Sequence, residues 1–339
     1  MNIVFIIPTG IGCEIGGHAG DANPAAKLIS SLCDKLVTHP NAVNASDINE
    51  MTENALYVEG SILDRFLWGQ IYLKEVFYNH ILLVVNKPIR KETINAVNAA
   101  RATIGAEIEI VELEVPLEME GKIINNRATG NVRGWESLVY QVEKYDFDAL
   151  AIASPIDVDI STKLYYLNNG GVNPWGGIEA ITSKLIADKL DKPVAHAPMY
   201  VSGENLEYDS LHETLVCDAR IAAEMVSMCY IHCVFKGLHR APRVDYEKGL
   251  SVDNVDLMVS PMCFGEPHMA CRKSEIPIIF VKENKTCIPF EENVLMKGDF
   301  LVENYWEAAG IISAMKAGIS PASVRRPFLT VNICKLMED

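Results

Sequence analysis

Basic residues are scarce in this sequence of 339 residues. Thirty lysines and arginines face 45 aspartates and glutamates, a formal net charge of −15. Nonspecific binding to nucleic acid or to an anionic membrane needs clustered positive charge, so neither is expected. Nine cysteines are scattered without one C-x-x-C pair, so zinc ribbons and fingers are not expected either. No run approaches the ~18 apolar residues of a membrane-spanning helix. The start, MNIVFIIPTGIG, has neither the basic residues nor the cleavage site of a secretory signal. These absences predict a cytoplasmic protein whose cysteines mostly fill its core. Low-complexity tracts and short-period repeats are missing as well.

What is present is a globular composition, 49% hydrophobic and 22% charged, and a recurring pattern. Five apolar stretches run into loops rich in proline, glycine and reactive side chains. They are FIIPTGIGCEIGGHAGD from Phe5, LAIASPID from Leu150, PVAHAPM from Pro193, CVFKGLHRAPR from Cys233 and LMVSPMCFGEP from Leu257. Buried parallel strands read as apolar runs without alternation, and ligands bind beyond their carboxyl ends. Strands are expected at Ile3–Ile7, Lys35–Thr38, Leu56–Glu59, His80–Asn86, Glu107–Glu114, Ala149–Ala153, Val194–Ala197, Tyr230–Phe235, Val255–Val259 and Ile276–Val281. Helices are expected at Pro24–Leu36, Lys91–Ile104, Trp135–Tyr145, Ile178–Leu190, Asp218–Met228 and Leu301–Gly318, with Pro116–Gly134 as loop. The fold class is therefore α/β, with mostly parallel sheets flanked by helices in two Rossmann-like lobes around a cleft. The division is expected at residue 134, giving an N-terminal lobe of residues 1–134 and a C-terminal lobe of residues 135–339. The last helix is free to return to the first lobe.

The first loop follows a strand and precedes a helix, and its Thr9, Gly10, Gly12, Gly16 and Gly17 are candidates for holding an anion on backbone N–H groups. It reads G-x-G-x-x-x-G-G, not the dinucleotide fingerprint, and no acidic residue follows a second strand at the spacing ribose recognition needs. That argues against NAD; no cofactor is required on sequence grounds. The phosphate-loop pattern is missing too. Asp21 and Asn41 stand beside this loop as further ligand contacts. His18, Asp21 and His39 could form a sparse metal site, but hydrogen-bonded turns account for Asp21 and His39 more simply, so no metal is expected. Trp175, Gly176 and Gly177 open a helix, offering N–H donors and an aromatic wall, with Glu179 in the first turn, where an acid also offsets the helix dipole. Arg240 belongs to the one notable basic cluster (Lys236, His239, Arg240, Arg243) and is suited to clamping a carboxylate. His196, Cys263 and Cys233 are the candidates for proton transfer or nucleophilic attack, and Gly265 lies in the Cys263 loop.

Several of these strings resemble a family of uncharacterised proteins found in cyanobacteria and other microbes, labelled as a domain of unknown function. The matching residues are Pro8–Gly12, Gly16–Gly17, Asp21, Thr38–Asn41, Asn44, Asn54–Gly60, Asp64–Phe66, Gly171–Val172, Pro174, Ala195–Pro198, Cys233, Gly237–Leu238, Arg240–Pro242 and Glu283–Asn284. They cover nearly the whole chain. The resemblance brings no reaction. It implies a Cys-Gly-Gly near Cys263, where this chain has Cys263-Phe264-Gly265, and it does not require Cys13, His18 or His239.

The sequence points first to an enzyme of small-molecule metabolism acting on a carboxylate or phosphate by non-redox Cys/His chemistry: an isomerase or racemase, a lyase or an acyl transferase. A nucleotide- or phosphate-dependent transferase and a noncatalytic ligand-binding protein are the alternatives. The expected partner is a small anionic metabolite, and a homo-oligomer is compatible with the composition. Gly12, His196, Arg240 and Cys263 are expected to line one crevice, with Arg240 anchoring the anion.

Overall fold

The computed structural model describes residues 1–16, 21–43, 51–198, 216, 219–222, 230–328 and 330–331. Its largest sheet is wholly parallel and has six strands, ordered Phe300–Val302, Ile278–Val281, Leu257–Pro261, Asn2–Phe5, Lys35–Thr38 and Ala55–Tyr57. A second parallel sheet has four strands, ordered Val194–Pro198, Ala149–Ser154, His80–Asn86 and Glu107–Leu113. The expected mixed α/β class is what forms. Alternation along each strand feeds two cores. Ile3 and Phe5 pack toward helices Asn23–Ser30 and Tyr305–Lys316, while Val4 and Ile6 face helices Gly60–Leu67 and Glu266–Lys273. In the smaller sheet Ile81, Leu83 and Val85 face helices Lys91–Thr103 and Tyr230–His239. Leu82 and Val84 face helices Trp135–Val142 and Gly176–Leu190. Each of these strand side chains is at most 3% exposed, so both sheets are covered on two faces, as parallel sheets require.

The six-stranded sheet draws its strands from both ends of the chain, whereas the four-stranded sheet uses residues 80–198. The division expected at residue 134 therefore does not follow the sheets: it cuts through the segment that builds the smaller one. Helix Tyr305–Lys316, whose amino end is capped by the Asn304 side chain accepting from the Glu307 amide at 3.0 Å, packs against helix Asn23–Ser30.

Two further expectations are corrected. The apolar run at 230–235 is not a strand but the start of helix Tyr230–His239. Its buried residues, Ile231, Val234, Phe235 and Leu238, recur at the helical spacing and present one stripe to the smaller sheet. The apolar stretch was long enough to imitate a strand only because the polar residues between them are few. The segment 116–134 is not a loop but contains the hairpin Glu118–Ile124 and Arg127–Arg133. Its two-residue turn, Asn125-Asn126, takes the left-handed conformation at both positions (φ 51° and 58°). Asparagine tolerates that geometry, and it matches the twist of paired strands.

The hairpin and helix Gly176–Leu190 bring the carboxyl ends of the two sheets together. The loop after the first strand, residues 8–16, lies against both. The Ala128 amide donates to the Gly10 carbonyl at 2.8 Å. A Cβ placed on Gly177 would fall 2.3 Å from the Ala128 carbonyl carbon, and one on Gly176 would fall 2.8 Å from Thr9 Oγ1. Only glycine admits so close an approach.

Candidate functional site

His196 occupies the edge strand of the smaller sheet. Ala195 and Ala197 point toward helix Tyr230–His239, so His196 projects from the opposite face, beneath helix Gly176–Leu190. That helix runs back along the strand it precedes, which sets its first turn over the strand's carboxyl end. Glu179 Oε1 thereby comes to 3.1 Å from His196 Nδ1. The neighbouring strand ends in Ser154, paired with Pro198 in register. Ser154 Oγ lies 3.1 Å from His196 Nε2, and the Ser154 carbonyl oxygen lies 3.0 Å from the same nitrogen. The imidazole side chain is fully buried, while Glu179 is 26% exposed. A carboxylate can only accept, so Nδ1 carries a proton and donates to it, fixing the ring's orientation. Nε2 is then available to accept from the Ser154 hydroxyl. Once it gains a proton, Nε2 can donate to the Ser154 carbonyl. Both states of a proton-transfer group thus find partners.

Cys263 follows strand Leu257–Pro261 and is also buried. Its Sγ lies 3.6 Å from Ser260 Oγ and 3.9 Å from His268 Nε2. The pair cannot work as thiol and base. The Gly265 amide donates to His268 Nδ1 at 3.1 Å, so the ring proton sits on Nε2, which donates to Ser260 Oγ at 2.8 Å. Burial lowers the His268 pKa to about 3 and raises the Cys263 thiol to about 12, with Ser260 and the Arg127 charge opposing the latter rise. Reactive thiols need the reverse environment. Cys233 sits part-buried on helix Tyr230–His239 rather than at a strand end, in the core that also receives Tyr57.

The remaining candidates divide. Thr9, Gly10 and Gly12 lie at the carboxyl edge, tightly packed: a Cβ on Gly12 would meet Cys287 Sγ at 2.6 Å. Asp21 accepts from the Gly16 amide at 2.7 Å and closes the turn. Asn41 donates to the Ile7 carbonyl at 2.8 Å. His39 Nε2 accepts from the Ile7 amide at 3.0 Å, and burial lowers its pKa to about 4. Asn41 and His39 therefore buttress the first strand's end. Gly17 and His18 lie outside the described residues. Trp175 packs edge-on against Tyr166, ring centres 5.8 Å apart, and Asn173 Oδ1 accepts from the Trp175 and Gly176 amides at 3.0 and 3.3 Å. Gly265 is extended (φ −165°), with open space where a Cβ would stand.

Arg240 is the clear misplacement. Because residues 230–239 form a helix, the chain returns to the opposite edge of the sheet. The His239 carbonyl accepts from the Asn79 amide at 2.8 Å, immediately before strand His80–Asn86. Arg240 is exposed there, at the amino ends of the strands, so it shares no crevice with His196 or Cys263. The expectation that these four loops open together holds for the Gly12, His196 and Cys263 loops only in that each follows a strand's carboxyl end.

Sequence reasoning passed over three residues. Ser154 ends an apolar strand as His196 does, a signal present in LAIASPID. Glu179 was explained as a dipole-compensating acid, and nothing local distinguishes that from contact with His196. Arg127 was assigned to loop. It is an exposed hairpin residue whose charge acts on Cys263, and among the described residues it makes no ion pair. Near the same edge Glu59 is buried, and its pKa is raised to about 7 by desolvation against the lowering effect of its Ser61 contacts.

No described helix is long and apolar enough to cross a membrane. A family model described as protein of unknown function (DUF3326) matches residues 2–325. An uncharacterized lipoprotein of Synechococcus sp. (strain ATCC 27144 / PCC 6301 / SAUG 1402/1) is 33% identical over 344 residues, an alignment covering 96% of this chain and 93% of that protein. No solved structure matches.

Proposed function

We propose that this chain, which belongs to the DUF3326 family of proteins of unknown function, is an enzyme acting on a small anionic metabolite by non-redox acid–base or nucleophilic chemistry centred on His196. One observation carries the reading: a buried imidazole at a strand's carboxyl end, held between a carboxylate and a hydroxyl at 3.1 Å on either side. A core histidine is satisfied by one partner for each ring nitrogen, and the Ser154 carbonyl, 3.0 Å from Nε2, is such a partner; the carboxylate at Nδ1 is what goes beyond that. Here a partly exposed carboxylate sets the tautomer, which is the arrangement that makes histidine an effective base. Cys263 and Cys233 are not needed as bases in this scheme. Arg127 takes the anion-holding role that the sequence suggested for Arg240, because its charge reaches Cys263 from the hairpin and it makes no ion pair among the described residues. The six described cysteines are free thiols, which suits the reducing cytoplasm we propose as its compartment. The lipoprotein name of the Synechococcus relative makes the cell envelope the alternative location.

The competing reading is a noncatalytic binding protein in which the Glu179–His196–Ser154 contacts only pin the helix to the sheet. Wild-type protein and the His196→Gln variant, each incubated with a pooled metabolite extract and followed by mass spectrometry, separate the two. Conversion of a metabolite by wild type and not by a folded His196→Gln variant supports the enzyme. Ligand retention by both proteins without any conversion refutes it.

A further inference from the structure

The geometry points to Ser154 as a nucleophile, making the site an acyl-transfer centre of Ser-His-Glu type whose substrate is a carboxylic ester or thioester. This inference rests on the acid–base reading of His196 and deepens it. Three side chains from three separate elements converge in the order such a relay needs: Glu179 from the first turn of a helix, His196 from the edge strand, Ser154 from the next strand. Both outer groups reach opposite nitrogens of one ring at 3.1 Å. The elements that fix them are rigid. The two strands are hydrogen-bonded in parallel register from Val194 to Pro198, and the helix is packed on them through Ile178, Ile186 and Ala187. Ser154 and His196 are 1% and 8% exposed, so the acyl substrate and the water of the second step must enter from the Glu179 side, where the carboxylate is 26% exposed.

The steps balance without an outside oxidant or reductant. Ser154 Oγ attacks the carbonyl carbon of the substrate while its proton passes to His196 Nε2. The positive ring that forms is stabilised at Nδ1–H by the Glu179 carboxylate. The carbon–oxygen or carbon–sulfur bond to the leaving group then breaks, and Nε2–H delivers the proton to that alcohol or thiol. Water attacks the acyl-serine, giving its proton to Nε2, and the released Ser154 oxygen recovers that proton as the free acid departs. Glu179 acts through His196 and is a positioning residue.

The test uses the full chain, a small dialkyl fluorophosphate as probe, and intact-mass and peptide mass spectrometry. Wild type is expected to gain one adduct on the peptide containing Ser154. His196→Gln, checked for native circular dichroism, is expected to react about 100-fold more slowly or less. Glu179→Asp, which keeps the carboxylate, is expected to retain more reactivity than Glu179→Ala, a rescue that a merely structural contact would not show in the labelling rate. Wild type that gains no adduct at Ser154, or an adduct forming equally fast in folded His196→Gln, overturns the nucleophile. The outcomes remain separable from the broader reading. If metabolite conversion depends on His196 but survives in Ser154→Ala, acid–base catalysis stands and the acyl-serine falls.

Discussion

Gly177 offers a quantitative handle on how the site is assembled, because it lies two residues before Glu179 at the point where helix Gly176–Leu190 meets the hairpin. A Cβ there would lie 2.3 Å from the Ala128 carbonyl carbon and 2.4 Å from its oxygen. Carbon pairs are at their best separation at about 3.5–4.0 Å, so Gly177→Ala must drive two backbones apart by roughly 1 Å. The obstacle is main chain and cannot swing aside. Overpacking of this kind costs about 1–3 kcal/mol. Against it stands the helix-propensity gain of replacing glycine by alanine, up to about 1 kcal/mol. Gly310 supplies the control: it is an exposed position within helix Tyr305–Lys316 and has open space around a built Cβ. Denaturant unfolding monitored by circular dichroism should show Gly310→Ala stabilised by up to about 1 kcal/mol and Gly177→Ala destabilised. Gly177→Ala should also lose reactivity at His196, since the helix start that it displaces carries Glu179. Equal stabilisation of both variants would show that the hairpin does not press on the helix start, and that this contact does not position Glu179.

Glu59 should make stability pH-dependent. Its carboxyl is raised from 4.5 to about 7 in the folded chain, so the folded state holds its proton more tightly than the unfolded one. The stabilisation is fully present below the unfolded pKa and is lost as pH rises from about 4.5 through about 7. At about 1.4 kcal/mol per unit the loss is on the order of 3 kcal/mol. Glu59→Gln should flatten the urea midpoint between those pH values, and an unchanged slope would refute this assignment. Arg127→Met should weaken binding of an anionic ligand by up to about fivefold, the size of a solvent-screened charge contact, while Arg240→Met should leave it unchanged. Calorimetry showing the opposite ranking would return the anion site to the amino edge.

Much of this organisation was legible in the residues. Apolar runs without alternation marked the strands His80–Asn86 and Val194–Pro198, and the turn-rich loops after them placed His196 where chemistry belongs. The signal failed where two physical effects produce the same string. The segment YIHCVF reads as a strand until its buried positions are known, because period cannot be judged when the polar residues are few. With that helix unrecognised, Arg240 was put at the wrong edge of the sheet. The hairpin was hidden by the polar tract NNRATGN, whose asparagines build a tight turn rather than a loose loop. Glu179 and Ser154 could not be paired with His196 from sequence, since their contact is made by tertiary packing between residues far apart in the chain. The sheets do not follow a division at residue 134 for a similar reason: the last strands rejoin the first one, and nothing local records that return.

The central claim is that Glu179 orients His196 so that Nε2 is free to take a proton. Nitrogen NMR on protein labelled only in its eight histidines, with His196 assigned through the His196→Gln variant, reads this directly. For the neutral ring the account predicts a proton on Nδ1, hydrogen-bonded to the carboxylate, and an unprotonated Nε2. A neutral ring protonated on Nε2, donating to the Ser154 carbonyl, would make His196 a structural clasp and contradict the account.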